Sequence, residues 1–114
     1  MMESTRQQKV ARMLQREMGA FFQQNSRDML PGKMITVTVV RVSPDLGVAK
    51  VFLSIFPVKE GEDPLQAVKD HAPKIRRDVG NKIRNQLRAI PEFIYYLDDS
   101  LDYIENIDNL LKED

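Results

Sequence analysis

The sequence predicts an α+β fold in which a three-stranded sheet is covered by helices. Residues 34–42 and 48–55 alternate apolar and polar side chains around a five-residue turn, the pattern of a β-hairpin. Residues 5–24 and 74–88 instead repeat apolar residues every three or four positions, the helical period. A further alternating run, residues 92–97, follows Pro91. A sheet flanked by amphipathic helices buries all these stripes together.

In the first helix, Val10, Leu14, Met18 and Phe21 form the apolar stripe, flanked by Ala11 and Phe22. Lys9, Arg12 and Arg16 fall on the opposite face, with Arg6 nearby. Ser4 or Thr5 is the N-cap. Gly19 weakens the helix by about 1 kcal/mol relative to alanine. Asn25 to Lys33, with Pro31-Gly32, reads as a loop.

In the first strand, Ile35, Val37 and Val39 alternate with Thr36 and Thr38. The pattern then slips at Val40 and Val42, which marks either a bulge or burial on both faces. Ser43-Pro44-Asp45-Leu46-Gly47 is turn chemistry, because proline presets φ and aspartate bonds back to the backbone. Val51, Leu53 and Ile55 share one face of the second strand, opposite Lys50, Phe52 and Ser54. Pro57 ends that strand, and Lys59 to Asp63 is a charged loop.

Asp63-Pro64 opens a short helix with Leu65 and Val68 as its apolar residues. The interhelical kink is expected at His71, Ala72 and Pro73, since proline disfavours helix at and before its own position. Ile75, Val79, Ile83 and Leu87 are the stripe of the next helix, 74–88. Lys74, Arg77, Asn81, Arg84 and Arg88 lie on its far side, and Arg76 and Lys82 flank the stripe. In the third strand Phe93, Tyr95 and Leu97 face one way, Ile94 and Tyr96 the other. Asp98-Asp99-Ser100 caps a final helix with the stripe Leu101, Ile104, Ile107 and Leu111. The expected order is α-β-β-α-α(kinked)-β plus a C-terminal helix.

The 114 residues suffice for one domain. With 42% hydrophobic and 30% charged residues, collagen-like and fully disordered classes are excluded. No apolar run approaches the roughly 20 residues of a membrane-spanning helix. The polar start, Met1 to Gln8, does not read as a secretory signal. The absence of cysteine excludes disulfides and thiolate metal sites and fits a reducing, cytoplasmic setting. A single histidine argues against zinc sites and histidine-based triads.

The formal net charge of zero hides an asymmetry. Residues 1–97 carry 16 Lys/Arg against 10 Asp/Glu, and residues 98–114 carry one Lys against seven acids. A basic body with an acidic end is a compositional sign of nucleic-acid contact. The alternative is a solvated mixed surface.

The basic helix is the strongest chemical signal. Arg76, Arg77, Lys82, Arg84, Arg88 and Lys74 stand against one acid, Asp78. Such charges repel each other, and a polyanion neutralises them. Lys9, Arg12, Arg16 and Lys50 are second-rank candidates. Guanidiniums suit phosphate because their donors form a planar fork. The competing reading is a solvated face paired with the acidic segment.

Phe52, Phe56, Tyr95, Tyr96 and Tyr103 are the aromatics available for base stacking, although strand aromatics more often pack the sheet. The balance favours backbone and shape recognition over base reading. Asp98, Asp99 and Asp102 form a carboxylate cluster of the kind that holds Mg²⁺, but helix capping explains the same three residues without a metal and is the favoured reading. His71 lacks a partner that would make it a general base. The glycines, at 19, 32, 47, 61 and 80, form no Gly-x-x-Gly phosphate loop. No catalytic residue, metal or cofactor is expected.

These residues resemble the bacterial ribosome-binding factor A family. The resemblance rests on blocks in order along the chain. Arg6 and Lys9-Val10 fit the opening helix. Thr36-Val37-Thr38-Val39, then Val42-Ser43-Pro44-Asp45-Leu46, fit the first strand and turn, and Ala49 to Ser54 the second strand. Ile75-Arg76, Gly80 and Leu87-Arg88 fit the third helix. Ile90-Pro91-Glu92-Phe93 and Asp98-Asp99-Ser100-Leu101 fit the last strand and its exit. The family's kink carries Ala-x-Gly. Here Asp70-His71-Ala72-Pro73-Lys74 supplies the alanine but not the glycine.

The resemblance implies a type II KH-like fold, with residues 1–114 one ribosome-binding domain. Residues 98–114 are then an acidic helical extension, read as a lineage-specific addition covering apolar surface. It further implies a non-enzymatic factor that binds the free small (30S) ribosomal subunit and assists maturation of its 16S ribosomal RNA, with a role in growth in the cold. No membrane or small-molecule partner is expected, and the chain is expected to be a monomer. The alternatives are a general RNA-binding KH-like module, a protein-interaction module using helix 74–88, and, weakest, a Mg²⁺-dependent nuclease.

Overall fold

A capping box starts the first helix, α1, which spans Thr5–Met29. The Ser4 hydroxyl accepts the Gln7 backbone N–H at 3.1 Å, and the Ser4 N–H donates to Gln7 Oε1 at 2.8 Å. The same glutamine is buried, and its Nε2 donates to the Val42 carbonyl at 2.8 Å. One side chain therefore both begins α1 and ties it to the end of the first strand. The computed structural model describes residues 4–98.

α1 runs five residues past the expected end at 24. Met29 and Leu30 are buried and prolong the stripe of Phe21 and Phe22, so packing overrides the polar run between them. Asn25 Nδ2 donates back to the Phe21 carbonyl at 2.8 Å, and Arg27 suits the negative end of the helix dipole. The loop is thereby shortened to the residues around Pro31-Gly32.

β1 (Met34–Val42) and β2 (Val48–Phe56) pair antiparallel, and β3 (Glu92–Leu97) pairs parallel with β2 in the order β1-β2-β3. The slip in β1 is a bulge between Val37 and Val39. Ile35 and Val37 are buried before it, Val40 and Val42 after it, and Val39 turns out opposite Phe52. In the turn, Asp45 accepts from the Ser43 hydroxyl at 2.7 Å and from the Gly47 N–H at 2.9 Å. These bonds, the Ser43 one foremost, hold the Asp45 carboxyl below its ordinary pKa.

The parallel pairing requires a crossover, which α2 (Pro64–Asp70) and α3 (Ala72–Ile83) supply. Asp63 caps α2 through the Gln66 N–H at 3.3 Å. The kink is a one-residue break at His71, whose φ of −97° and ψ of 8° end α2 and precede α3. Pro73 does not break a helix here. It sits in the first turn of α3, where its missing N–H costs nothing, and Ala72 before it is helical. His71 Nδ1 lies 2.8 Å from the Ala67 carbonyl, a structural engagement.

α3 ends at Ile83, five residues short of the expected 88. The chain must turn back to bring Glu92 beside the hairpin, where its N–H donates to the Gly47 carbonyl at 2.9 Å. Leu87 is still buried, but a turn rather than a helix delivers it.

The inward faces of all three strands and the stripes of α1, α2 and α3 form one core around Leu14, Met18, Phe22, Leu53 and Ile75. The helices cover one face of the sheet. The other, carrying Val39, Lys50, Phe52, Ile94 and Tyr96, is left open among the described residues.

Two stability tests follow from the packing. Nothing lies within 4 Å of a Cβ built at Gly19, so Gly19→Ala in mid-helix should stabilise. The expected gain is about 1 kcal/mol in urea unfolding. The Tyr95 hydroxyl is buried without a partner among the described residues, and burial pushes its pKa well above the usual phenol value. Tyr95→Phe should thus raise stability, by about 1 kcal/mol, whereas a loss of that size would reveal a hidden partner.

Candidate nucleic-acid interface

The basic residues of α1 stand opposite its buried stripe, so Lys9, Arg12 and Arg16 project into solvent. They line one wall of a groove of about 340 Å³ whose other wall is Gln86 and Leu87. Leu87 also borders a neighbouring cleft of about 500 Å³, lined by Arg6, Arg88, Ala89 and the hairpin turn Pro44-Asp45-Leu46. The two clefts meet along Leu87. The turn that ends α3 therefore sets Arg88 beside the start of α1.

Farther along, α1 faces α3. Glu17, Phe21, Gln24 and Asn25 oppose Asp78, Val79, Asn81 and Lys82 across a third groove of about 310 Å³. Glu17 and Asp78 make this stretch mixed in charge. Phosphate is favoured at the other end, where Arg6, Lys9, Arg12, Arg16 and Arg88 are exposed. Exposed cations of one sign along low-lying clefts concentrate a polyanion without a pre-formed pocket for any base.

The expected basic helix is divided by the structure. The Arg76 guanidinium donates to the Pro91 carbonyl at 2.7 Å and the Ile90 carbonyl at 3.1 Å, and lies 5.8 Å from the Phe93 ring centroid. It ties α3 to the entry of β3, an internal task. Arg77 lies 3.4 Å from Asp78, on the solvent side of α3. Lys74 is half-buried at the start of α3, Lys82 lines the mixed groove, and Arg84 is the helix C-cap. Arg88 lies beyond the helix, so it does not share a helical face with Arg77 and Arg84. Lys50 is on the open face of the sheet, away from α1 and α3.

Arg6 is the residue that the ranking by helix 74–88 passed over. Its signal was the spacing of three and six residues to Lys9 and Arg12 on one helix face. Tyr95 is in the core and is unavailable for stacking, whereas Phe52 and Tyr96 stack on the open face with centroids 5.1 Å apart. Among the described residues no group of three or more His, Asp or Glu is placed to hold a metal ion. Of the proposed carboxylate cluster only Asp98 falls within them. Asp99 and Asp102, like Tyr103 and the C-terminal helix, lie outside the described residues. No helix among the described residues is long and apolar enough to cross a membrane.

A profile of the ribosome-binding factor A family matches residues 6–111. The match runs through most of the acidic segment, so that segment lies within the family's span and is not a lineage-specific addition. Ribosome-binding factor A of Cytophaga hutchinsonii is 46% identical over 112 residues, covering 98% of this chain and 84% of the relative. The crystal structure of ribosome-binding factor A from Thermus thermophilus superposes with a TM-score of 0.65 at 22% identity, covering 80% of this chain and 94% of that one. A Thermus thermophilus ribosome-binding factor A homology model, fitted into the cryo-EM map of a 30S complex, gives 0.59 at 24% identity, covering 74% and 86%. The α-β-β-α-α-β order with this sheet is the KH-like fold. From the family profile and the identity over nearly its whole length, the chain belongs to the ribosome-binding factor A family.

Proposed function

We propose that this protein binds the free small ribosomal subunit and assists maturation of its 16S ribosomal RNA without catalysing a reaction. The observation that carries the proposal is the convergence of Arg6, Lys9, Arg12, Arg16 and Arg88 along adjoining clefts of one face. Arg77, Arg84, Lys74 and Lys82 flank that face as outer contacts, and Arg76 contributes through the fold. The Thermus relative fitted into a 30S complex supports the same partner. The protein acts in the cytoplasm, as a monomer, with no cofactor.

The mechanism is differential affinity. A factor that binds one arrangement of immature RNA more tightly than the mature one shifts the population toward the first and leaves as the second forms. Phosphate contacts suit this role because they read backbone placement and leave the bases free.

Co-sedimentation with free small subunits, large subunits and assembled ribosomes tests the proposal. Five phosphate contacts give a log–log salt slope of about −3.5 to −4.5 on free small subunits. Replacing Lys9, Arg12 and Arg16 together by Ala should leave the circular dichroism spectrum unchanged and flatten the slope by about 2 to 3. Equal binding to every particle would instead mark a general RNA-binding module. An unchanged slope in the triple variant would overturn the assignment of the interface.

A further inference from the structure

The groove between α1 and α3 borders the proposed RNA path yet carries two acids. Glu17 lines it from α1 and Asp78 from α3, across a space of about 310 Å³. An acid beside a phosphate path weakens the hold on a polyanion, so phosphate binding accounts for neither. Pairing within the chain does not account for them either. Glu17 lies 3.6 Å from Arg16 Nε, and Asp78 lies 3.4 Å from Arg77 Nε. Both partners are sequence neighbours, which do not face one another on a helix. Each carboxylate offers about four acceptor positions, and most of them stay open among the described residues.

The rest of the lining combines donors with an apolar floor. Asn81 and Lys82 follow Asp78 by three and four positions, so the three share one face of α3. Neither has a hydrogen bond or ion pair among the described residues. On the opposite wall, Asn25 spends one amide N–H on the Phe21 carbonyl, at 2.8 Å. Phe21 and Val79, both buried, form the floor.

We propose that this groove holds one unstacked guanine of the bound RNA. The inference rests on the ribosomal RNA reading and deepens it. Guanine presents two adjacent donors, N1–H and N2–H, beside the O6 acceptor. The two Asp78 oxygens accept the pair of donors, and Asn81 Nδ2 donates to O6, with the Lys82 ammonium beside it. The face of the base lies on Phe21 and Val79.

Other occupants fit less well. Adenine and cytosine set an acceptor beside their donor, and uracil sets one donor between two acceptors. Each would turn a lone pair toward the carboxylate. An arginine from a protein would suit two acids, but it carries donors only. It would leave the Asn81 amide donor unmatched and bring like charge against Lys82. Glu17 and Asp78, facing across the groove, also keep phosphate out of it. Access comes from the neighbouring cleft, since Arg16 lines that cleft and Glu17 follows it on α1. Phosphate contacts there leave the base free to turn in.

Asp78→Asn is the test, because charge and base reading predict opposite signs. Removing an acid should tighten a contact made by phosphate alone. Under the proposal it weakens binding to free small subunits about tenfold, with the log–log salt slope unchanged. Kethoxal, which reacts at N1 and N2 of exposed guanines, reads the site directly. The wild-type protein should protect a guanine of 16S ribosomal RNA, and Asp78→Asn should leave it reactive with the circular dichroism spectrum unchanged. Asn81→Ala, which alters no charge, should expose the same guanine. Equal or tighter binding by Asp78→Asn, or protection that survives it, would overturn the proposal while the steep wild-type slope upholds the ribosomal reading. Weaker binding with no guanine protected by the wild type would assign the groove to a basic protein side chain and also overturn it. Failure of the wild type to sediment with free small subunits would remove the ribosomal reading and this inference together.

Discussion

The β1 bulge between Val37 and Val39 decides what each face of the sheet becomes. Strict alternation from Ile35 would turn Val39 and Arg41 toward α1 and put Val40 and Val42 in solvent. Burying the Arg41 guanidinium in the apolar core would cost several kcal/mol, so that register is disfavoured. The extra residue, Thr38, sends its hydroxyl to the Phe52 carbonyl at 3.2 Å and leaves the ladder. Beyond it Val40 and Val42 point inward, Arg41 points out opposite Lys50, and the Val42 carbonyl receives Gln7 from the start of α1. A local insertion thereby sets the seat of the longest helix.

From that seat the charge distribution follows. With its apolar stripe pinned on β1, α1 presents Lys9, Arg12 and Arg16 outward along the turn after α3. Arg76 closes the other end of the crossover by holding the Ile90 and Pro91 carbonyls, and the return of the chain carries Arg88 beside Arg6. The helical side of the sheet is thus the cationic side. The opposite side is aromatic and apolar, a surface that asks for a protein cover more than a phosphate backbone.

Much of this was legible in the residues. The hairpin, the third strand, the stripes of α1 and α3 and the slip at Val40 all follow from periodicity, which reports burial directly. Element ends were less legible because tertiary contacts set them. Met29 extends α1 by finding the core, and the Glu92–Gly47 bond stops α3 at Ile83. The break between α2 and α3 falls at His71, inside the expected stretch His71 to Pro73, but Pro73 does not cause it, since proline is as well suited to start a helix as to end one. The parallel pairing of β3 with β2 was absent from the pattern, which carries no strand order. In the site, a helical wheel grouped Arg84 and Arg88 with Arg77. Only the turn after Ile83 shows that Arg88 belongs with α1, and only the bonds of Arg76 show that its charge is engaged within the fold.

The division of the two faces is tested most directly by photo-cross-linking the full-length protein to free small subunits. A benzophenone placed at Gln86, in the groove with Arg12, is compared with one at Ser54 on the open face. Cross-links to 16S ribosomal RNA from position 86 and none from position 54 are the predicted result. Cross-links from position 54 alone would place the RNA on the sheet and contradict the assignment of both faces.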